Sequence, residues 1–600
     1  MAKVRHRVGP SVRSGFASIL ACGSLLAFSG ESLQGRADAA PSRLSTLAVT
    51  GDAAPGAAGA TFLAFETPVA ARGSLVAVNA FLTGNVTPSN ATGIFFGSPS
   101  TFTLWLRGGD LAPGTPGLRF DALDGNDLPV TGDSGTLAVE AFAGAPGNSR
   151  FGIWTLSEPG VAVPIAVTGD AAPAIAGAQF DNFTSPLLSA SGDVFFYSNL
   201  REGPGGIVFD NKGTLWTGGT ASLRLIGRWD APAPGTGGVF LRFTSTFWSV
   251  NDLGQAAVRA TLEVGTGGVT TQNDEGIWRS TRQSDPGSLQ LVVREGDPAP
   301  DIANGVFASF QASPPINNLG EVLVWGRLRQ GTGVDASNDD VLYVARPSPG
   351  GADVLTLVLR EGGDAPGIPG ATIRSLGSEH VISDSGRVLA LVSLLEGPGG
   401  VTIANDSVLL AGTPSPTGDL APLAREGDAF GGTVGQLVDS FVGLHLNRAG
   451  TACYIASYDN AGVRGGALFI ARPGQEPELV AQTNQLFEIP DRPGDQRFVQ
   501  FFRFNTLPSG GSDGRRTALA NDDSLAFGLI FGGGTEGVFV LRPAGCPADF
   551  NGDGQGDLFD YLDFSAAFGT DDPSADVDAN GQVDFLDYLE FVLRFDQGCP

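Results

Sequence analysis

Residues 291–300 read Leu-Val-Val-Arg-Glu-Gly-Asp-Pro-Ala-Pro, a short apolar run that ends in a Gly-Asp turn and is closed by Pro-Ala-Pro. Glycine accepts positive φ and aspartate bonds its own backbone, so the pair is turn chemistry and the run before it has the length of a strand. The same punctuation recurs as LAVTGDAAPG ending at Gly56, LWLRGGDLAPG at Gly114 and IAVTGDAAP at Pro173. Further copies are LIGRWDAPAPG ending at Gly235, LVLREGGDAPG at Gly367 and LAREGDAFGG at Gly432. An eighth, degenerate copy, LVAQTNQLFEIPDRPGD, ends at Asp495. The turns stand 58 to 67 residues apart, a period that marks a repeat architecture.

Two more landmarks divide each period. About 20 to 25 residues after the Gly-Asp turn comes a four-residue turn, N-x-x-G in its best form, followed by an alternating strand. Good copies are Asn251–Gly254, Asn317–Gly320 and Asn447–Gly450; variants are Gly132–Gly135, Ser189–Gly192, Ser383–Gly386 and Asn521–Ser524. The third landmark is a strand start at Gly93-Ile94-Phe95, Gly152-Ile153-Trp154, Gly276-Ile277-Trp278 and Gly537-Val538-Phe539. One period therefore holds four short strands of the types GVFASF, EVLVWGRL, GIWRS and LQLVVREG, which pair as an antiparallel meander. Four strands per unit around a ring is the β-propeller plan. The chain enters on a fourth-type strand from Leu44 and leaves on a third-type strand up to Pro543, so the N-terminal strand completes the last unit and no edge stays open. The count of strand types predicts an all-β propeller of eight blades over residues 44–543. An open solenoid or a string of small sandwiches is the alternative, and it leaves both orphan strands unpaired.

Composition agrees with a turn-rich β protein: 87 Gly, 39 Pro and a single Met in 600 residues, with 42% hydrophobic residues arguing against general disorder. The N-terminus carries Lys3, Arg5, Arg7 and Arg13, an apolar run from Phe16 to Phe28 and small residues at Ala37-Asp38-Ala39. That is the pattern of a signal peptide over residues 1–39, too short to span a membrane, and it implies a secreted, cell-surface or periplasmic protein. Ile19-Leu20-Ala21-Cys22 also reads as a loose lipoprotein site, although apolar residues continue past Cys22. Cleavage after Ala39 removes five of the 36 basic and two of the 63 acidic residues, leaving a net charge of −30. Such a surface excludes nucleic acid as a natural partner and favours divalent cations. No other stretch could span a membrane. Of the three remaining cysteines, Cys453 reads as a buried small hydrophobe in a strand, and Cys546 and Cys599 bracket the last segment as a candidate disulfide.

The tandem N-x-x-G turn followed by an alternating strand resembles the exported choice-of-anchor tandem repeat NxxGxxAF proteins, over nearly all of residues 44–543. The A-F ending is often replaced here, as in EVLVWG. The resemblance implies export and a C-terminal attachment module, with no activity attached to the repeats.

Residues 546–600 carry metal-binding chemistry. Asp549, Asn551, Asp553, Gly554, Asp557 and Asp560 fall at positions 1, 3, 5, 6, 9 and 12 of a calcium loop. Asp576, Asp578, Asn580, Gly581, Asp584 and Asp587 repeat the pattern 27 residues later, and Gln555 and Gln582 offer carbonyls at position 7. Alternate oxygen ligands suit one hard cation per loop, so two Ca2+ are expected. A helix follows each loop, LFDYLDFSAAF and FLDYLEFVLRF, and none precedes the first, where Cys546 and Pro547 stand. Two loop–helix halves resemble a dockerin, the module that plugs into cohesin domains, which implies a cohesin-like or envelope protein partner. The departure is at positions 10 and 11: Leu558-Phe559 and Phe585-Leu586 are apolar, either core or docking patch.

Catalytic motifs are weaker. Gly132-Asp133-Ser134-Gly135 resembles a serine-protease nucleophile loop but occupies the repeat-turn position, and the mature histidines are only His380 and His445. Gly510-Gly511-Ser512-Asp513-Gly514 matches G-x-S-x-G without the strand-to-helix setting that motif needs. Asp210–Trp216, DNKGTLW, is a single copy of a propeller-like turn. The leading expectation is an exported, non-catalytic binding or scaffold protein whose propeller presents a surface to a glycan or protein. A carbohydrate-active, polysaccharide-degrading enzyme with an appended dockerin is the alternative, since two placed carboxylates suffice for glycoside hydrolysis. A structural surface-layer component is a third reading.

Overall fold

The computed structural model describes residues 43–542, apart from 124–128, 133–134, 145–148, 221, 244–247, 281–288, 312, 349–350, 415–418, 430–436, 461–462 and 512. It further describes residues 550, 558–570, 572, 575 and 583–597. Strands form eight separate sheets, each built on an antiparallel meander, with the short strands Ser509–Gly510 and Leu486–Glu488 added outside the first strands of blades 7 and 8. Blade 5 is representative: Phe307–Phe310, Val322–Leu328, Asp340–Arg346 and Val354–Arg360 pair in that order. Blade 8 begins with Gln496–Arg503, Leu525–Phe531 and Glu536–Leu541, and takes its fourth strand from Leu44–Val49. The register runs antiparallel from Leu44 opposite Leu541 to Val49 opposite Gly537. The eight-bladed propeller closed by its N-terminal strand is therefore the fold, and the orphan strands of the solenoid alternative are paired with each other.

The three repeat landmarks converge in one core. In blades 1 to 5 the leading Phe of the first strand meets the aromatic of the third strand edge-on, as in Phe62–Phe95 (4.8 Å), Phe120–Trp154 (4.9 Å) and Phe240–Trp278 (5.0 Å), whereas blades 6, 7 and 8 carry Ile373, Val438 and Val499 at that place. That aromatic also needs a partner for its polar end. Trp154 and Trp278 donate Nε1–H to the carbonyls of Pro113 and Pro234, and Tyr343 donates its hydroxyl to Pro300. In these three blades the proline after the Gly-Asp turn thus caps the third-strand aromatic, whereas Trp216 of blade 3 donates to Thr214 Oγ1 instead. Buried apolar residues form eight clusters at the blade seams, such as Ala48, Val538 and Val540 of blade 8 against Phe62, Val78 and Phe95 of blade 1.

First strands share a second device. A register shift places one extra residue after the leading apolar residue: Leu63, Asp181, Leu241, Ala308, Arg374, Asp439 and Gln500. Such bulges bend and twist the edge strand.

The described residues of the C-terminal segment include two helices. Helix α1 spans Leu558–Phe568 and α2 spans Phe585–Gln597. Acidic residues in their first turns, Asp560 and Asp587, complement the helix dipole. Equivalent residues 27 positions apart meet each other: Phe564 stacks on Phe591 at 3.9 Å, and the Tyr561 and Tyr588 hydroxyls lie 3.0 Å apart. Phe564, Ala575 and Phe591 are fully buried in this small core.

Candidate functional site

The N-x-x-G turns gather at the end of the first strands and bond from blade to blade. In blade 5, Asn317 Oδ1 accepts the backbone N–H groups of Leu319 (3.1 Å) and Glu321 (2.9 Å), closing its own turn. Its Nδ2 donates to the Ser383 carbonyl of blade 6 at 2.9 Å and to Glu321 Oε2 at 2.8 Å. Asn251 does the same toward the Asn317 carbonyl, and Asn447 toward the Ala520 carbonyl. Each asparagine is fully buried. An amide is suited to this position because it accepts with one atom and donates with the other. Gly320 completes the turn at φ +76°.

The second turn position extends the ring. Asp252 accepts the Ala190 N–H, Asn318 Oδ1 accepts the Asp252 N–H, and Asp384 accepts the Asn318 N–H. Asn318 Nδ2 lies 2.8 Å from carboxylate oxygens of both Asp252 and Asp384. The Arg448 guanidinium reaches the same two carboxylates, so blades 4, 6 and 7 meet on one cation. Blade 8 joins through Asn521 Oδ1, which accepts the Arg448 N–H, and blade 1 through the Gly73 N–H, held by Asp522. Thr131 Oγ1 donates to the Ala70 carbonyl and links blades 1 and 2.

Two turns differ from the sequence expectation. In blade 8 the turn runs from Ala520 to Asp523, one residue earlier than Asn521–Ser524, with Asp523 at φ +68° in the glycine position. Blade 1 carries an equivalent turn at Ala71–Ser74 with Ser74 at φ +57°, for which the sequence offers neither Asn nor Gly at the marking positions.

The centre of the ring holds the chain itself. In blade 8 the segment between first strand and turn runs from Phe504 to Leu519, and it touches blades 1, 3, 4, 6 and 7. Ala70, Leu188 and Val250 donate their backbone N–H groups to the carbonyls of Thr517, Gly514 and Asp513. Ser509 and Gly510 pair parallel to His445 and Leu446. A Cβ on Gly510 would stand 2.8 Å from the Ile382 carbonyl, and one on Gly514 2.4 Å from Val250 Cγ1. Beside this segment lies a cavity of about 40 Å³ bounded by Thr131, Asp252, Asp513, Arg515 and Asn521, with room for a water or two. The G-x-S-x-G match thus belongs to an axial loop, and Ser512 lies outside the described residues.

Neither histidine is placed for catalysis. His445 is wholly buried, with Nε2 at 2.8 Å from the Asn505 carbonyl and Nδ1 at 2.6 Å from Ser509 Oγ. A carbonyl only accepts, so Nε2 carries the proton and Nδ1 accepts from the serine hydroxyl. Burial lowers its pKa to about 4, against the raising effect of the Asn505 bond. His380, edge-on to Trp325 at 5.1 Å, is lowered to about 4 for the same first reason, burial. Of the G-D-S-G motif, Asp133 and Ser134 lie outside the described residues, while Gly132 and Gly135 close a hub turn.

The Gly-Asp turns are structural. Asp52, Asp110, Asp297 and Asp428 each accept the backbone N–H three residues earlier, at Val49, Arg107, Arg294 and Arg425. The arginine at the end of the fourth strand is used as regularly: Arg107, Arg228, Arg294, Arg360 and Arg425 donate Nε–H to the carbonyls of Asn90, Asn211, Asn273, Asn338 and Asn405. In the eighth copy Asn484, at φ +61°, replaces the glycine. The DNKGTLW segment packs its Gly213 against the Trp229 ring, leaving no room for a Cβ. Glu295 stands beside Asp274, and burial with the neighbouring carboxyl raises its pKa to about 7.

Of the expected calcium ligands, Asp560, Asp584 and Asp587 are described. Asp560 and Asp587 are fully buried at the starts of α1 and α2, and Asp587 Oδ2 accepts the Asp584 N–H at 2.7 Å. Asp549, Asn551, Asp553, Gln555, Asp557, Asp576, Asp578, Asn580 and Gln582 lie outside the described residues, as do Cys546 and Cys599. Among the described residues no three or more His, Cys, Asp or Glu converge as a metal site. Cys453 is buried and unpaired with any other cysteine. Leu558, Phe559 and Phe585 are 65%, 64% and 65% exposed, so positions 10 and 11 face outward rather than forming core; the Leu586 side chain lies outside the described residues. Among the described residues no helix is long and apolar enough to cross a membrane.

Residues 14–349 and 346–547 match a protein family described as a family of unknown function, DUF7453. The chain belongs to this family. Two successive matches on one DUF7453 chain agree with a repeated fold. No curated protein matches the chain. Among solved structures, the Dos1 propeller resembles this DUF7453 protein with a TM-score of 0.36 at 10% identity, over 82% of this chain and 95% of that one. The acylaminoacyl peptidase of Pyrococcus horikoshii gives 0.34 at 12% identity over 70% of this chain and 52% of its own. The polysaccharide lyase Uly1 gives 0.33 at 12% identity over 70% and 93%. At such scores the likenesses carry nothing about chemistry, and the propeller stands on its own strand pairing.

Proposed function

We propose that this DUF7453 protein is an exported, non-catalytic scaffold of the choice-of-anchor type. Its propeller offers a rigid surface to a glycan or protein ligand, and its C-terminal dockerin-like module holds two calcium ions and attaches the propeller to a protein partner. The observation that carries the reading is the pairing of buried acid and exposed apolar residues at the helix starts. Asp560 and Asp587 turn wholly inward at position 12 of their loops, while Leu558, Phe559 and Phe585 beside them turn out. Two inward-turned carboxylates at position 12, in loops whose sequence sets oxygen donors at alternate positions, make a donor set that suits calcium. When bound, calcium would tie each loop to its helix and couple metal binding to folding. The repeats support the non-catalytic part of the reading. Their recurrent Asn, Asp and Arg side chains are engaged with backbone groups or with one another.

The test is capture from envelope and secreted fractions with the mature chain as bait, in calcium and in excess chelator. The expected result is one defined partner, bound only in calcium and lost in the double variant Phe559→Asp/Phe585→Asp. No capture, or capture indifferent to both calcium and the variant, would sink the attachment role. Release of sugars from a polysaccharide by the mature chain would instead favour the enzyme alternative.

A further inference from the structure

We infer that the segment from Asn505 to Thr517 is an axial lock, which seals the hub end of the propeller and holds non-adjacent blades in register. The first ground is length. The first-strand aromatic and the turn that follows are six residues apart in blade 7, Phe441 to Asn447, but 18 apart in blade 8, Phe502 to Ala520. The extra residues cross the ring centre rather than looping outward.

The second ground is where the bonds go. A surface loop satisfies itself or binds water. Here Asp513 and Gly514 present their carbonyls to Val250 of blade 4 and Leu188 of blade 3, Thr517 serves Ala70 of blade 1, and Gly511 N–H reaches the Leu446 carbonyl of blade 7. Arg515 Nε–H donates to the Trp248 carbonyl at 2.9 Å. These acceptors and donors sit at the first-strand ends, where each blade has an edge with no further strand. The lock therefore supplies the partners that an inward-facing edge lacks.

The third ground is internal rigidity. Asn505 Nδ2 donates to the Arg516 carbonyl and draws the neck of the loop together. Asp513 is 2% exposed and accepts the N–H groups of Gly510 and Arg515. Its carboxylate stands 3.8 Å from the Arg515 guanidinium, so each buried charge faces its opposite. His445 fixes the entry of the segment, accepting from Ser509 Oγ while donating to the Asn505 carbonyl. The glycines allow the approach: Gly514 has φ +72° and no space for a Cβ.

The order of synthesis gives the device a role. Blade 8 is completed last and its fourth strand comes from the N-terminus, so inserting the loop into the centre fastens the earlier blades only once all are present. A ring held solely by nearest-neighbour seams could open at any one of them. A pin that touches five other blades makes opening at one seam cost contacts at several.

Native-state hydrogen exchange on the mature chain tests this with two variants. In one, residues 505–517 are replaced by a linker of the length found in blade 7; in the other, Gly514→Ala forces the loop off Val250. The amides of Ala70, Leu188 and Val250, each in a different blade, are expected to exchange at least about tenfold faster in both variants, with the outer-strand amides of those blades unchanged. If the shortened chain does not fold, the Gly514→Ala result decides alone. Retained protection at those three amides would overturn the inference, as would deprotection confined to blade 8.

Discussion

Replacing Asn317 separates what the hub asparagine does for its own turn from what it does for the next blade. The side chain makes four hydrogen bonds and is completely buried. Asn317→Ala leaves the N–H groups of Leu319 and Glu321 and the Ser383 carbonyl with one partner fewer, in a place water does not reach. At roughly 1 kcal/mol net per bond, with a further penalty for orphaned buried groups, the loss is about 3–5 kcal/mol. Asn317→Ser is milder. Ser383 shows how a serine works at this position, with Oγ accepting the Arg387 N–H at 3.0 Å and no bond donated to the next blade. The serine variant keeps the turn and loses the seam, a cost of about 1–2 kcal/mol. Asn317→Asp is nearly isosteric yet sets a carboxylate oxygen against the Ser383 carbonyl and the Glu321 carboxylate, so it should be at least as damaging as alanine. Urea unfolding of the mature chain, followed by tryptophan fluorescence, gives the order Asn, Ser, then Ala and Asp. An alanine variant within about 1 kcal/mol of the parent, or an aspartate variant more stable than serine, would refute the reasoning.

His380 and His445 have folded pKa values near 4 against an ordinary value of 6.5. Protons therefore bind the unfolded chain first, and stability present above pH 6.5 is lost as pH falls toward 4, by about 3 kcal/mol per histidine; His445→Gln should flatten that slope in an acid titration of the unfolding midpoint. Glu295 titrates the other way, because its raised pKa makes stability greatest below the ordinary carboxylate value and lowers it as pH rises through 7. Glu295→Gln should leave the midpoint unchanged at pH 4.5 and raise it at pH 8. Deleting residues 44–49 removes the fourth strand of blade 8 and exposes the partners of Ala48 and Val49. An open edge invites pairing with other chains, so size-exclusion chromatography should show aggregates where the full chain is monodisperse.

The ring was readable because each landmark in the repeat answers a physical need. The proline of the turn caps the Trp278-type aromatic, the Asp of the turn caps its strand, and Asn317 bridges two blades, so the three recur together at one period. Reading failed where another residue did the same work. Ala71–Ser74 forms a hub turn without Asn or Gly at the marking positions, its Gly73 and Ser74 N–H groups held by Asp522 and Ser524 of blade 8, and Asp523 takes a left-handed conformation usually left to glycine, which drew the expected turn one residue too far along. The axial segment has no periodicity, since its Gly, Asp and Arg residues answer five different blades at once. Only the 18-residue gap from Phe502 to Ala520 signalled it. In the C-terminal module the aligned acidic spacing and both helices were plain, while the outward turn of Leu558, Phe559 and Phe585 required the packing of Phe564 on Phe591 to be seen.

Calorimetric titration of the mature chain with calcium tests the central claim most directly. The account predicts two ions per chain, with binding abolished in the double variant Asp549→Ala/Asp576→Ala while propeller unfolding is unchanged. Absence of calcium binding, or undiminished binding in that variant, would contradict it.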